Sequence, residues 1–149
     1  MAVRKETIKQ QFAEAVQQHL ESGEQLETGA WAVQGPSPLW VSGLFGIVGM
    51  IIADVRYHYV WVTDRRVIFL KGSFWTARPK GFVWSDLRSA VGVSDVTPAA
   101  TWSWFRYHRP AGGKPPRLNF ARPWREEFGQ ITAALGGAGA TAAVPVPPA

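Results

Sequence analysis

The chain contains no cysteine, which excludes disulfides, thiolate metal centres and a cysteine nucleophile and is compatible with any redox compartment. Charge is sparse: Asp, Glu, Lys and Arg make up 18% of the 149 residues, below the roughly 25% of an average soluble protein. The longest apolar run, residues 39–53, is 15 residues long, short of the roughly 17–25 a membrane-spanning helix needs. Residues 1–10 hold three basic side chains with no apolar stretch behind them, so no secretory signal is expected and a cytoplasmic location is. Catalytic signatures are missing as well. There is no Gly-x-Ser-x-Gly elbow and no P-loop. The Gly136-Gly137-Ala138-Gly139 run closes a helical pattern, whereas a dinucleotide fingerprint opens one. His19, His58 and His108 lack metal-ligand spacing, and the four Asp residues fall at turns or strand starts without a paired acid. The expectation is a non-enzymatic protein with no metal, no cofactor and no small-molecule substrate.

What the sequence does have is apolar and aromatic mass. Apolar residues make up 46% of the chain, and eight of them are Trp, enough for one contiguous core of large flat side chains. The net charge of +5 is unevenly spread. Residues 1–30 carry three Lys/Arg against five Asp/Glu, whereas residues 55–125 carry thirteen against three, a balance of +10. A basic body of this kind favours polyanionic partners such as anionic lipid headgroups or nucleic acid.

Along the chain, residues 6–22 show a helical stripe of Ile8, Phe12, Val16 and Leu20, stopped by Gly23. Its polar face is rich in Gln and Glu, which favours packing on the domain over an anionic membrane. A strand is expected at 24–33, ended by Gly35-Pro36-Ser37-Pro38. The Gly-rich apolar run 39–53 reads in three ways: core hairpin or helix, membrane-inserting loop, or span. Trp40 at one end of it and Tyr57 and Tyr59 beyond the other have the character of interfacial anchors. Residues 55–63 alternate, with Tyr57, Tyr59 and Trp61 on one face and Arg56, His58, Val60 and Val62 on the other, giving two usable faces. The turn Thr63-Asp64-Arg65-Arg66, with Asp64 suited to bond its own backbone, leads to a return strand at 67–70. A loop is expected at 71–81, with Phe74 and Trp75 exposed. A strand follows at 82–84 with a turn at 85–87, then strands at 89–96, 101–108 and 118–120, with a basic loop at 109–117. The closing helix, 123–135, has Pro123 in its first turn and a stripe of Trp124, Phe128, Ile131 and Leu135, with Gly136-Gly137 as its stop. Residues 137–149 are expected to be a disordered tail.

The run Tyr59-Val60-Trp61-Val62-Thr63-Asp64-Arg65-Arg66-Val67-Ile68-Phe69-Leu70 resembles the hairpin of bacterial PH-like domains. The step Val83-Trp84-Ser85-Asp86-Leu87 and the final strand followed by one amphipathic helix are similar to that family too. The resemblance covers residues 23–136, with the 39–53 segment as an insertion and 1–22 as an added helix. It implies a mainly β, α+β fold: a strongly bent antiparallel sheet or barrel capped by a C-terminal helix, acting as a non-catalytic scaffold for lipids, peptides or proteins.

The leading expectation is therefore an adaptor at the cytoplasmic membrane face. Candidate headgroup contacts are Arg65, Arg66, Lys71, Arg78 and Lys80, with Arg106, Arg109, Lys114 and Arg117 on the opposite loops. Candidate membrane or interface residues are Trp40, Leu44, Phe45, Ile47, Val48, Met50, Ile51, Phe74 and Trp75. The alternatives are an assembly subunit that self-associates through the N-terminal helix and 39–53, and a nucleic-acid binder stacking bases on Trp102, Trp104, Tyr107 and His108.

Overall fold

The computed structural model describes residues 2–35, 56–73 and 78–139, with Gly46 and Val48 between them. Seven strands follow one another among the described residues: β1 (Leu26–Gln34), β2 (Arg56–Thr63), β3 (Arg66–Gly72), β4 (Pro79–Leu87), β5 (Gly92–Thr97), β6 (Trp102–His108) and β7 (Arg117–Ala121). They form one antiparallel sheet in the order β4-β3-β2-β1-β7-β6-β5, flanked by α1 (Ala2–Gln17) and α2 (Arg125–Gly139).

The register explains the bend. β1 and β2 pair along eight positions, but β1 and β7 share only Val33↔Asn119 and Gln34↔Leu118. This narrow waist lets a four-stranded half fold over a three-stranded half. Phe69 on β3 meets Tyr107 on β6 with ring centroids 5.1 Å apart, and the Tyr107 hydroxyl donates to Asp86 Oδ2 on β4 at 2.9 Å. Among the described residues no backbone ladder joins β4 to β5. The sheet is bent but open, so the barrel expected as one form of the fold is not closed, and side chains bridge the gap.

Two helices cover the two faces. In α2 and the turn before it, Trp124, Phe128, Ile131 and Leu135 are all buried, with Phe128 against Phe105 and Phe120 at 5.7 and 5.4 Å. The i, i+4, i+7, i+11 spacing puts them on one stripe. On the other side, Phe12 of α1 stacks on Tyr59 at 4.7 Å and meets Trp31 edge-on at 5.8 Å. The Trp61 indole donates to the Phe12 carbonyl at 3.2 Å. Two glycines make room for these rings. A Cβ on Gly72 would stand 2.4 Å from the Trp31 ring, and one on Gly29 would stand 2.5 Å from Trp61. Each fully buried aromatic contributes about 2–3 kcal/mol of burial free energy. The helices meet where Lys5 and Lys9 pair with Glu127 at 2.9 and 3.0 Å.

Several sequence expectations are corrected. The helix at the N-terminus spans Ala2–Gln17, leaving Leu20 in the following turns. The two faces of β2 are not both usable: His58 to Thr63 are all buried, one face under α1 and the other in the core. Residues 85–87 continue β4, because Leu87, Asp86 and Ser85 pair with Arg66, Val67 and Ile68, and this ladder overrides the turn chemistry of Ser and Asp. Lys71 and residues 79–81 belong to strands β3 and β4, where a loop over 71–81 is expected from sequence. Gly136-Gly137 does not stop α2, which runs to Gly139. The rest of the expected tail lies outside the described residues.

Candidate anion-binding surface

Strand direction sorts the basic residues into two groups. The β1–β2, β3–β4 and β6–β7 connections all leave the sheet at one end. Their flanks are stitched together by the register pairs Gln34↔Arg56 and His58↔Lys71 and by the Gly35 amide donating to the Arg117 carbonyl at 3.1 Å. The flanks and the described loop residues at this end carry Arg56, Lys71, Arg78, Lys80, Arg109, Lys114 and Arg117, and no Asp or Glu. Lys71, Arg78, Lys80 and Lys114 are exposed.

Arg65 and Arg66 stand apart from them. They sit in the β2–β3 turn at the other end of β3; Arg66 and Lys71 are five residues apart, about 16 Å along a strand. Arg66 is also committed. Its Nη2 donates to Glu24 Oε1 at 2.7 Å and its Nε to Glu24 Oε2 at 3.1 Å, with a further bond from Nη2 to the His19 carbonyl at 2.7 Å. The Glu24 side chain has no exposed surface. The Arg66 guanidinium, outweighing the opposing effect of burial, holds the Glu24 carboxyl down at about 2. Thr63 completes the node, donating to Glu24 Oε2 at 2.6 Å and accepting from the Arg65 and Arg66 amides. Asp64 does not bond its own turn; its Oδ1 accepts from the Gln25 amide at 2.9 Å. Arg65 is exposed beside Glu21 at 3.4 Å.

Arg106, Arg109, Lys114 and Arg117 do not lie opposite Lys71. They gather at the same end, and Arg106 and Arg117 are strand residues directly across from one another. Arg109 forks onto Asp86 with two bonds of 3.1 Å while its guanidinium lies 4.7 Å from the Trp84 ring centre, so it fastens β6 to β4. Arg117 is held differently. Its Nε donates to Asn119 Oδ1 at 2.8 Å, and its guanidinium lies 3.9 Å from the centre of Trp104. Asn119 is itself fixed, donating to the Val33 and Gly35 carbonyls at 2.9 and 3.0 Å. Nothing in the sequence marks Asn119 for this role, since its partners lie some 85 residues away.

Behind this rim sits His58, 3% exposed. Burial, with the charges of Arg56 and Lys71, pushes its imidazole down to about 4. Its Nε2 meets Gln34 Oε1 at 3.0 Å, which fixes the proton on Nε2, because an amide oxygen only accepts. His58 Nδ1 and the neighbouring Trp84 Nε1 are buried without partners among the described residues.

Of the membrane or interface candidates, Trp40, Leu44, Phe45, Ile47, Met50, Ile51, Phe74 and Trp75 lie outside the described residues. Val48 is 64% exposed. The flanks of both stretches, Gly35 and Arg56 for one and Ser73 and Arg78 for the other, are at the basic end. The stacking platform expected on β6 is not assembled: Tyr107 points into the core and is fully buried, and Trp104 is covered by guanidinium. The apolar stripe of α1 packs on its own sheet, with Phe12 and Val16 fully buried. Among the described residues, no helix is long and apolar enough to cross a membrane, and no three His, Asp or Glu gather as metal ligands. Compared with protein-family models and with characterised proteins, the chain matches none.

Proposed function

We propose that the chain is a non-catalytic PH-like binding module that docks on an anionic membrane surface, at the cytoplasmic face, through its basic end. The observation that carries this reading is the convergence of Arg56, Lys71, Arg78, Lys80, Lys114 and Arg117 in described segments that hold no Asp or Glu, Arg109 beside them being paired with Asp86 of β4. The apolar segment 39–53 and the pair Phe74-Trp75 also depart from that end. The strand order and the helix after the last strand support the PH-like assignment, which rests on the hairpin resemblance.

The electrostatics are sufficient. Each Lys or Arg near an anionic surface contributes about 1 kcal/mol, so the exposed Lys71, Arg78, Lys80 and Lys114 together give about 4 kcal/mol, roughly a thousandfold preference over a neutral surface. Apolar side chains entering the headgroup layer would add to this.

The test is flotation with vesicles of phosphatidylcholine alone and with a third phosphatidylglycerol. Binding to the anionic vesicles only, weakened by salt and by about thirtyfold in Lys71→Gln/Lys80→Gln, is expected. Negligible binding to both compositions would overturn the membrane reading.

A further inference from the structure

We propose that Arg106 and Arg117, with Trp104 beneath them, form a binding site for a phosphate group, as inorganic phosphate or a phosphomonoester, on the outer face of β6 and β7. The site stands on its own geometry and does not rest on the membrane reading.

Three features of the pair point to a bound anion. First, Arg106 and Arg117 are direct cross-strand partners, a placement in which like charges repel. Both guanidiniums lie against the same indole, at 5.8 and 3.9 Å from its centre. Second, the pair is short of counter-charge. Among the described residues Arg106 has a single, partly exposed ion-pair partner, Asp95, whose Oδ2 lies 3.6 Å from its Nε, longer than a hydrogen bond. Among the described residues none pairs with Arg117. Burial and the Arg106 charge both weigh against the protonated state of Arg117.

Third, Arg117 is pre-organised. Asn119, locked by two backbone carbonyls, takes the Nε proton, and the stack on Trp104 fixes the plane of the guanidinium. Among the described residues the two terminal nitrogens of Arg117 have no hydrogen-bond partner, which leaves a fixed pair of donors. Such rigidity lowers the entropic cost of binding.

Phosphate fits this arrangement better than a carboxylate does. A carboxylate has two oxygens, which one guanidinium satisfies in a fork. A phosphomonoester carries three acceptor oxygens and about −1.5 to −2 charge, so it can bridge both guanidiniums and neutralise the pair. On the same face of the neighbouring strands, Ser94 Oγ and His108 Nε2 lie 2.6 Å apart, a polar margin beside Arg106. Asp95, held at φ 55° where β5 bulges between Ser94 and Thr97, supplies the one acidic edge.

The experiment follows the Trp104 indole N–H by NMR while inorganic phosphate is titrated at constant ionic strength, with chloride as the exchanged anion. Expected is a saturable shift with millimolar or tighter affinity, weakened about tenfold or more in both Arg117→Gln and Arg106→Gln and unchanged in Arg122→Gln, an exposed arginine at the far end of β7. Arg117→Gln removes a repulsion, so the variant should fold with unchanged circular dichroism; Arg106→Gln provides the second, independent reading. A shift that does not saturate, or an affinity in Arg117→Gln and Arg106→Gln equal to that of the wild type, overturns the proposal. Glycerol phosphate and vesicles bearing phosphatidic acid separate the sources. Tighter binding to the vesicles assigns the group to a lipid headgroup, and equal affinity assigns it to a soluble phosphomonoester; either result upholds phosphate as the chemistry.

Discussion

Replacing Glu24 with Gln removes the charge around which the β2–β3 turn is organised. The carboxylate accepts from Arg66 through both oxygens, from Thr63 Oγ1, and from the Glu21 amide at 2.9 Å. Its folded pKa of about 2, against an ordinary 4.5, corresponds to about 3 kcal/mol of stabilisation of the charged form. Because the folded value is depressed, this stability is fully present above about pH 4.5 and is lost as pH falls through about 2. The amide leaves Arg66, whose side chain is only 15% exposed, facing a neutral group. Urea unfolding of the wild type and Glu24→Gln at pH 7 should differ by about 2–4 kcal/mol. The same comparison repeated down to pH 2 should show the difference shrinking steadily, because the wild type takes up a proton on unfolding that the variant does not. A difference that stays constant from pH 7 to pH 2 would refute the assignment of the charge to this node, whatever its size.

Gly72→Ala should lower stability by about 1–3 kcal/mol in urea unfolding, since its Cβ would meet the Trp31 ring at 2.4 Å; loss of less than a few tenths would mean that the ring is free to move. His58 should remain neutral and Nε2-protonated at pH 5 in a nitrogen-15 NMR titration. With a folded pKa of about 4 below its unfolded value, its contribution to stability is complete above about pH 6.5 and falls away as pH drops through about 4. A titration midpoint near 6.5 in the folded protein would contradict its burial.

Local pattern carried much of this fold. The alternation at 101–108 separates Ser103, Phe105 and Tyr107, all buried, from Trp102, Trp104 and Arg106, and the stripe of α2 is buried at each of its four positions. What local pattern cannot carry is distance through the fold. Arg66 and Lys71 are neighbours in sequence but lie at opposite ends of a strand, whereas Arg106 and Arg117 are brought together by a hairpin. Asp64 and Asp86 look like turn residues because that is their local preference; Gln25, Tyr107 and Arg109 claim them only once the sheet has bent. The boundaries of β4 and α2 depart from local preference for the same reason. Pairing with β3 holds residues 85–87 extended, and packing on the sheet carries α2 past two glycines whose intrinsic preference is to end it.

The register pair Gln34↔Arg56 has a consequence for how this chain tolerates change. The 21 residues between them begin and end at adjacent points of one ladder. A change in the length of a connection whose ends are already held together costs closure entropy of only about 0.6 kcal/mol for each doubling. The pairing of β1 with β2 therefore fixes where this stretch leaves and rejoins the sheet, whatever its length.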